Sequence, residues 1–395
     1  MARILVLDGH SAAALSITRS AGRAGHWIAV GANQGLFAAA QLSRYCRSRL
    51  AYPVSTDNAG QFLEAVLHFV RANAVDLVIP VTDWTIGPLS VHRQLFDGLC
   101  RLALPSPEAL ERASDKYQTV EMAKALGIAV PQTRLFESQG LFAFENLEFP
   151  VVVKDRFSVR WSGEKAVFGT VSYAYSRKES ENKVSARQSG SDVLLQEFVA
   201  GAGIGFSCFI ASGEMFLPFQ WERIREVDPR GSASSARKSI PLDDEVVDRS
   251  GRLLAEIGFE GVAMVEYKKL ADGRMILMEI NGRPWGSMAL PVACGIDYPR
   301  HLIDWNLNGT LPPKNIVYKP NTICRRLVSE LTYLSNLRAG KPENWSAAYP
   351  GFWKSVAQMA VPWRPGMHYD DLWLSDIRPG VAGIANWFRA GKKSG

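Results

Sequence analysis

Apolar and polar positions follow two periods along the chain, and each period marks one kind of element. The run "RILVLD" at residues 3–8 is apolar throughout and predicts a buried strand. "GHSAAALSITRSAGRAGH" follows as a turn and an amphipathic helix ending near Gly25, with Ser11 as its cap, and "WIAVGA" as the next strand. A strand, a helix and a second strand in this order favour a parallel, doubly wound sheet. "QFLEAVLHFVRAN" has helical spacing and "VDLVIPVTD" reads as the strand after it. Two prolines in "LALPSPEALERASDK" close this unit. A helix over "DKYQTVEMAKALG" stops at Gly127, and the chain enters an extended stretch at Pro131. "FPVVVKDR" is a strand carrying Lys154, and "SVRWSGEKAVFGTVSYAYS" alternates as a hairpin with a mobile loop. "SDVLLQEFVAGAGIGFSCFIASGEMF" gives strand, loop, strand and turn; "DDEVVDRSGRLLAEIGFEG" gives a helix. The stretch 262–283 is a hairpin turning at "ADG", and strict alternation in it puts Leu277, Glu279, Asn281 and Arg283 on one face. Met278, Ile280 and Gly282 fall on the other. Past residue 310, proline and tryptophan become frequent, and the tail "AGKKSG" reads as disordered.

Composition narrows the class. With 395 residues, 47% hydrophobic and 21% charged, the chain has the balance of a globular protein with two or three domains. No apolar run reaches membrane-span length, and the N-terminus lacks a signal-peptide pattern. Five cysteines without a CxxC pair point to reduced thiols, hence a cytoplasmic protein. The net charge of +6 suits a polyanionic small ligand. Nucleic acid is not expected, because no dense Lys/Arg run carries interleaved aromatics.

The hairpin holds the clearest chemistry. Glu266 and Glu279 lie at similar distances from the turn and can face each other, with Asn281 beside them. Two carboxylates and an amide oxygen form an oxygen-only donor set suited to Mg²⁺. A solvated hairpin face is the competing reading, and Arg283 in the same row favours phosphate chemistry over it. Lys154 closing a strand is, alone, an edge lysine, and "LLQEFVAG" alone is a strand end. The basic segment 223–238 is either a solvated loop or an anion trap. In the second case Arg223 or Arg225 meets a substrate carboxylate, and Arg237 or Lys238 lies near phosphates. At the first β–α turn the GxGxxG fingerprint is missing, which weighs against a dinucleotide loop. Asp83 and Trp84 sit at the carboxyl end of a predicted parallel strand, where ligands bind. The late tryptophans are read as the core of a helical subdomain in preference to a lipid-facing surface.

Taken in order, "SDK", the strand ending in Lys154, the glycine-bearing loop, "QEFVAG" and the Glu…Glu-x-Asn-x-Arg hairpin resemble the ATP-grasp superfamily over about residues 1–310. "RPWGS" after the hairpin and the basic segment are similar to its carboxylate–amine ligase-like branch. The resemblance implies that Lys116 and Lys154 contact ATP, and that Gln196, Glu197, Phe198 and Val199 form the adenine-reading hinge. It further implies that Glu266, Glu279 and Asn281 hold Mg²⁺, with Mn²⁺ as substitute, and that Arg283 steadies the transferring phosphoryl group. The loop 157–170 closes over the triphosphate. No acidic residue follows the hinge to bind ribose, and Trp285 is placed as a substrate-pocket wall. The expected architecture is α/β and α+β. A Rossmann-like domain spans 1–112 and an ATP-grasp domain 113–310, with a lid subdomain about 131–200. A Trp/Pro-rich extension spans 311–395. The expected activity is ATP-dependent activation of a carboxylate as an acyl phosphate and its coupling to an amine, both small molecules, in a protein for which a homodimer is plausible. The alternatives are a non-catalytic ATP-binding scaffold or sensor and a nicotinamide-dependent oxidoreductase.

Overall fold

A computed structural model describes residues 1–136, 148–188, 192–345 and 347–391. The tail 392–395 lies outside them. The chain opens with β1 (Arg3–Val6), α1 (Ala12–Arg23), β2 (Trp27–Asn33), β3 (Cys46–Tyr52), α2 (Ala59–Asn73), β4 (Leu77–Ile79), α3 (Asp83–Val91) and β5 (Arg101–Leu102). Its strands form a parallel sheet in the order β3-β2-β1-β4-β5. Both faces are buried, as all-parallel sheets require. Ile4, Val6, Ile28 and Val30 pack with Ala13, Ala14 and Ile17 of α1. Leu5, Leu7, Ala29 and Val78 pack with Phe62, Leu63 and Val66 of α2. Ser11 caps α1, its Oγ accepting from Ala14 N at 3.1 Å. The direction of winding reverses between β1 and β4, so the ligand crevice of this sheet opens at their carboxyl ends.

Two short helices lead onward, α4 (Pro107–Ser114) and α5 (Lys116–Ala125). Asp115 caps α5 through Tyr117 N and Gln118 N at 3.0 and 3.1 Å. Gly127 ends this segment at φ +71°, a conformation glycine adopts without strain. Next come β6 (Thr133–Phe136), β7 (Val151–Asp155), β8 (Val159–Ser162), β9 (Lys165–Phe168), β10 (Val171–Ala174), α6 (Arg177–Gln188) and β11 (Val193–Glu197). Four of these strands make an antiparallel sheet, β10-β7-β11-β6, while β8 and β9 pair as a separate hairpin. Val151, Val153, Ala174, Val193 and Leu195 pack on Val184 of α6. Alternation therefore turns Val152, Lys154, Tyr173 and Gln196 to the opposite face.

The rest of the chain builds a seven-stranded sheet from β12 (Ala202–Ala211), β13 (Glu214–Glu226), β14 (Ser234–Ser239), α7 (Asp244–Ile257), β15 (Gly261–Lys269) and β16 (Met275–Asn281). It continues through α8 (Ala289–Ala293), α9 (Tyr298–Asn308), β17 (Ile323–Arg325), α10 (Leu327–Ala339), α11 (Phe352–Met359), β18 (Met367–Tyr369) and α12 (Arg378–Gly391). The strand order is β16-β15-β12-β13-β14-β17-β18, so two strands beyond residue 310 extend this sheet. One face buries Phe206, Val265, Tyr267 and Leu277 against Val246, Leu253 and Leu254 of α7. The other carries Glu266, Glu279 and Arg223. The late tryptophans divide: Trp345 is buried, whereas Trp353 and Trp363 are 79% and 65% exposed, so they do not form one common core. No helix among the described residues is long and apolar enough to cross a membrane.

Candidate active site

The β15–β16 hairpin brings Glu266 directly opposite Glu279. The next pair in the ladder is Tyr267 with Leu277, so Met278 is an extra residue, a β-bulge in β16. The bulge corrects the strict alternation read from the sequence. Leu277 joins Met275 and Ile280 on the buried face, and the polar row begins only at Glu279. Asn281 Nδ2 donates to Glu279 Oε1 at 3.2 Å, which turns its own Oδ1 away as a free acceptor. Glu266 accepts from the Arg223 guanidinium. Burial raises the Glu266 pKa, Arg223 opposes that, and Glu279 adds to it. Two facing carboxylates in a half-buried site call for a cation. Oxygen donors alone, with a guanidinium now sitting on one of them, fit Mg²⁺. Among the described residues no cluster of three or more His, Cys, Asp or Glu offers another metal site.

Two lysines approach the same spot. Lys154 is 7% exposed, with no hydrogen-bond or ion-pair partner among the described residues. Burial pushes its ammonium pKa down to about 8, with Glu279 pulling the other way and Lys116 adding to the depression. Lys116 donates from Nζ to Ser158 Oγ at 2.8 Å, and burial lowers its pKa against the field of Glu279 and Asp83. Arg283 Nε reaches both oxygens of Asp83 at 3.1 Å, joining the end of the polar row to the first sheet. Asp83, Lys116, Ser158, Glu279, Asn281 and Arg283 line one cleft enclosing about 750 Å³, open to solvent.

At the other end, β11 runs into the expected hinge. Gln196 is buried and donates to Thr133 Oγ1 at 2.8 Å. The Glu197 N–H donates to Gln132 O at 2.9 Å, and its carboxylate accepts from Gln132 N at 3.1 Å. Of the backbone groups expected to read a base, the Glu197 N–H is thus already engaged. Phe198 meets Tyr173 and Trp345 edge-on, with centroids 5.9 and 5.1 Å apart. Phe198, Val199, Arg223, Glu226, Lys268 and Trp345 line a second space of about 960 Å³. Glu226 was missed by sequence reasoning. It lies on β13, more than twenty residues past the hinge, yet a Cβ on Gly203 would sit 3.1 Å from its Oε1. It pairs with Arg223 at 3.0 Å and Lys268 at 3.5 Å.

The basic segment scatters. Arg223 alone of its arginines pairs with a carboxylate of the hairpin, Glu266, while Arg225 and Arg230 line the second space beside it. Arg225 pairs with Glu330 of α10. Arg237 is 1% exposed and holds Asp370 at 2.6 Å. Both were expected to face substrate or phosphate. Instead their charges are spent on acids of the C-terminal segment. Arg230 pairs with Asp228, and Lys238 with Glu222. Trp285, expected as a pocket wall, is 1% exposed and stacks on Trp221 at 6.3 Å.

The crevice between β1 and β4 supplies the remaining wall. Asp8, fully buried, accepts from Val81 N, Thr82 N and Thr85 Oγ1 at 3.1, 2.7 and 2.6 Å, and burial raises its pKa. His10 stacks on Trp84 at 5.0 Å, and Trp84 meets Phe168 of β9 at 5.8 Å. The β8–β9 hairpin docks here by backbone bonds, Ala166 N to Thr56 O at 2.8 Å and Ala59 N to Glu164 O at 3.1 Å.

Comparison with known proteins agrees with this layout. Residues 190–328 match the family described as ATP-grasp in the biosynthetic pathway with Ter operon. A D-alanine–D-alanine ligase of Pseudomonas putida (strain GB-1) is 24% identical over 183 residues, 44% of this chain and 55% of the relative. The matched stretch thus spans about half the length of that curated relative. An L-amino acid ligase from Bacillus licheniformis superposes with a TM-score of 0.58 at 17% identity, covering 78% of this chain and 74% of the other. A biotin carboxylase from Campylobacter jejuni gives 0.60 at 16% identity, covering 82% and 74%. An N5-carboxyaminoimidazole ribonucleotide synthetase in its ADP complex gives 0.57 at 15%, covering 81% and 80%. With two sheets facing across a cleft, a Glu–Glu–Asn hairpin on one and a buried lysine on the other, the chain shares the fold of these structures, and its residues 190–328 match a model of the ATP-grasp family.

Proposed function

We propose that the protein is an ATP- and Mg²⁺-dependent ligase that activates a carboxylate as an acyl phosphate and couples it to an amine. The cross-strand pair Glu266–Glu279, with Asn281 beside it and Lys154 across the cleft, carries this reading. Magnesium held by Glu266, Glu279 and Asn281 Oδ1 would neutralise charge on the nucleotide phosphates. Lys154 and Lys116 bring two cations to the triphosphate from the opposite side. A desolvated, unpartnered ammonium binds an anion more strongly than a hydrated one. Arg223, once displaced from Glu266, stays anchored on Glu226 through Nη1 and turns Nη2 to an anion beside the hairpin. Glu226, beside the hinge, replaces the missing acid as the candidate partner of ribose hydroxyls. Phe198 and Val199 offer an apolar wall for the base.

The reaction needs these parts. A carboxylate oxygen attacks the γ-phosphorus and ADP leaves; the amine then attacks the carbonyl carbon and phosphate leaves with the bond electrons, the amine losing a proton. Repulsion between carboxylate and triphosphate opposes the first step, and Arg283 with the two lysines offsets it. The docked β8–β9 hairpin keeps water from the activated acyl group. The nicotinamide alternative fits poorly, because the buried carboxyl of Asp8 lies where a diphosphate would sit. Five free cysteines suit a reducing cytoplasm. To test the reading, ADP release is measured with pooled amino acids and small carboxylates. Glu279→Ala is expected to abolish it; equal release by both proteins would sink the site assignment.

A further inference from the structure

A second cavity lies on the far side of the His10–Trp84 stack. It encloses about 720 Å³ between the start of α1 and the helices α10 and α12, and its lining includes His10, Phe37, Arg326, Val328, Asp371 and Trp387. Three features separate it from a packing defect. The first is charge. Elsewhere at this junction the guanidiniums are paired: Arg19 with Asp376, Arg237 with Asp370, Arg225 and Arg325 with Glu330. Arg326 is the exception, half-buried on the cavity with no side-chain hydrogen bond or ion pair among the described residues, although its charge is felt by Asp371 and His10 across the space. A guanidinium held in such a place has the fork geometry that carboxylates match.

The second is the division of the wall. Phe37, Val328 and the ring of Trp387 give it an apolar side, and Trp387 Nε1 is already satisfied by Thr332 Oγ1 at 3.0 Å. The two acids that also reach the lining are largely occupied. Asp370 holds Arg237, and Asp371 accepts Leu327 N and Val328 N at 3.5 and 3.4 Å. The third is position. Trp84, stacked on His10, directly follows Asp83, which holds Arg283 at the reacting end of the cleft.

We propose that this cavity binds a small carboxylic acid with an apolar tail, its carboxylate on Arg326 and its tail against Phe37, Val328 and Trp387. The inference rests on the ligase reading only in casting an amino acid held this way as the amine partner, since a carboxylate kept on Arg326 is not the one activated. Asp371, whose two hydrogen bonds are long, keeps acceptor capacity for an α-ammonium if the acid is an amino acid.

Calorimetric titration tests it with L-leucine, 4-methylpentanoate, 3-methylbutylamine and acetate, each with and without Mg-ATP. The first two are expected to bind, and the amine and acetate to bind at least tenfold more weakly. Leucine binding above 4-methylpentanoate assigns the ammonium to Asp371; equal binding assigns recognition to Arg326 and the apolar wall alone. Arg326→Ala removes a side chain with no hydrogen bond or ion pair among the described residues, and the backbone stays held by Arg326 N to Ser235 O at 2.9 Å. Gly383→Leu fills the cavity by another route, since a Cβ there meets only Val328 Cγ2 at 3.4 Å and Phe37 Cε1 at 4.0 Å. Both variants are expected to lose acid binding tenfold or more while Mg-ATP binding stays unchanged. Acid binding that survives in both variants, or no acid binding by a protein that binds Mg-ATP, overturns the proposal. Arg326-dependent acid binding without any Mg-ATP binding would keep the cavity and discard the ligase reading.

Discussion

Lys154 sits where its charge works against stability. Its ammonium is buried without a hydrogen-bond or ion-pair partner among the described residues, and its pKa falls from 10.5 to about 8. Between these values the unfolded chain binds a proton that the folded chain does not, so Lys154 makes stability rise with pH across that window. Below about pH 8 the folded protein carries the full cost of the buried charge. Lys154→Met is therefore expected to stabilise the nucleotide-free protein at pH 7 by roughly 1–3 kcal/mol. The gain should shrink toward pH 10, and Mg-ATP should no longer raise the melting temperature. Denaturation scans at pH 7 and pH 10 check the sign; a variant less stable than wild type at pH 7 would contradict it. Residue identity was readable at this scale wherever chemistry is local. The hairpin's glutamates and Asn281, adjacent in the structure, are legible by type and period. Arg225 and Arg237 are not, because a charge in a sequence does not name its partner: Asp370 lies 133 positions from Arg237.

At the scale of elements, periodicity located most strands and helices, and the failures came where one residue breaks the period. The bulge at Met278 is such a case. It leaves no mark in composition, yet it decides which side chains share a face with Glu279. Glu226 escaped for the related reason that β13 crosses under the hinge in space while lying far from it in sequence. The β8–β9 hairpin was read as a mobile loop closing over phosphate. Its present seat on the first sheet depends on a glycine in α3. A Cβ on Gly87 would lie 2.0 Å from Trp161 Nε1. Gly87→Leu thus leaves the hairpin no room to dock, although a larger residue alone suits the helix. Trypsin cleavage at Lys165 is expected to quicken several-fold, and ATP hydrolysis without product coupling to rise. Unchanged cleavage would mean that the hairpin is held by its two backbone bonds alone.

The whole molecule is fastened at its two ends. Arg19 of α1, fully buried, donates to the Asp376 carboxylate at 2.8 Å and to the carbonyls of Asp370 and Asp371 at 2.7 and 3.0 Å. Asp376 in turn accepts from Ser43 Oγ at 2.7 Å and Arg44 N at 2.8 Å. The same short segment supplies Asp370 to Arg237, and β18 runs parallel to β17 at the edge of the large sheet. The residues after 310, which read as an extension, therefore close the first sheet onto the last. They also shape the cavity around Arg326. This arrangement makes the ion pair costly to break from one side. Arg19→Met leaves the Asp376 carboxylate buried against two donors but without its cation, and it frees three carbonyls, those of Asp370, Asp371 and Asp376. A loss of about 3–5 kcal/mol is expected. Arg19→Met with Asp376→Leu removes both charges, but it strands Ser43 Oγ and Arg44 N, so it should recover only part of that loss. Urea midpoints of the two variants decide the matter. A double variant as unstable as the single would show that the hydrogen bonds to Ser43 and Arg44, and not the charge pair, hold the ends together.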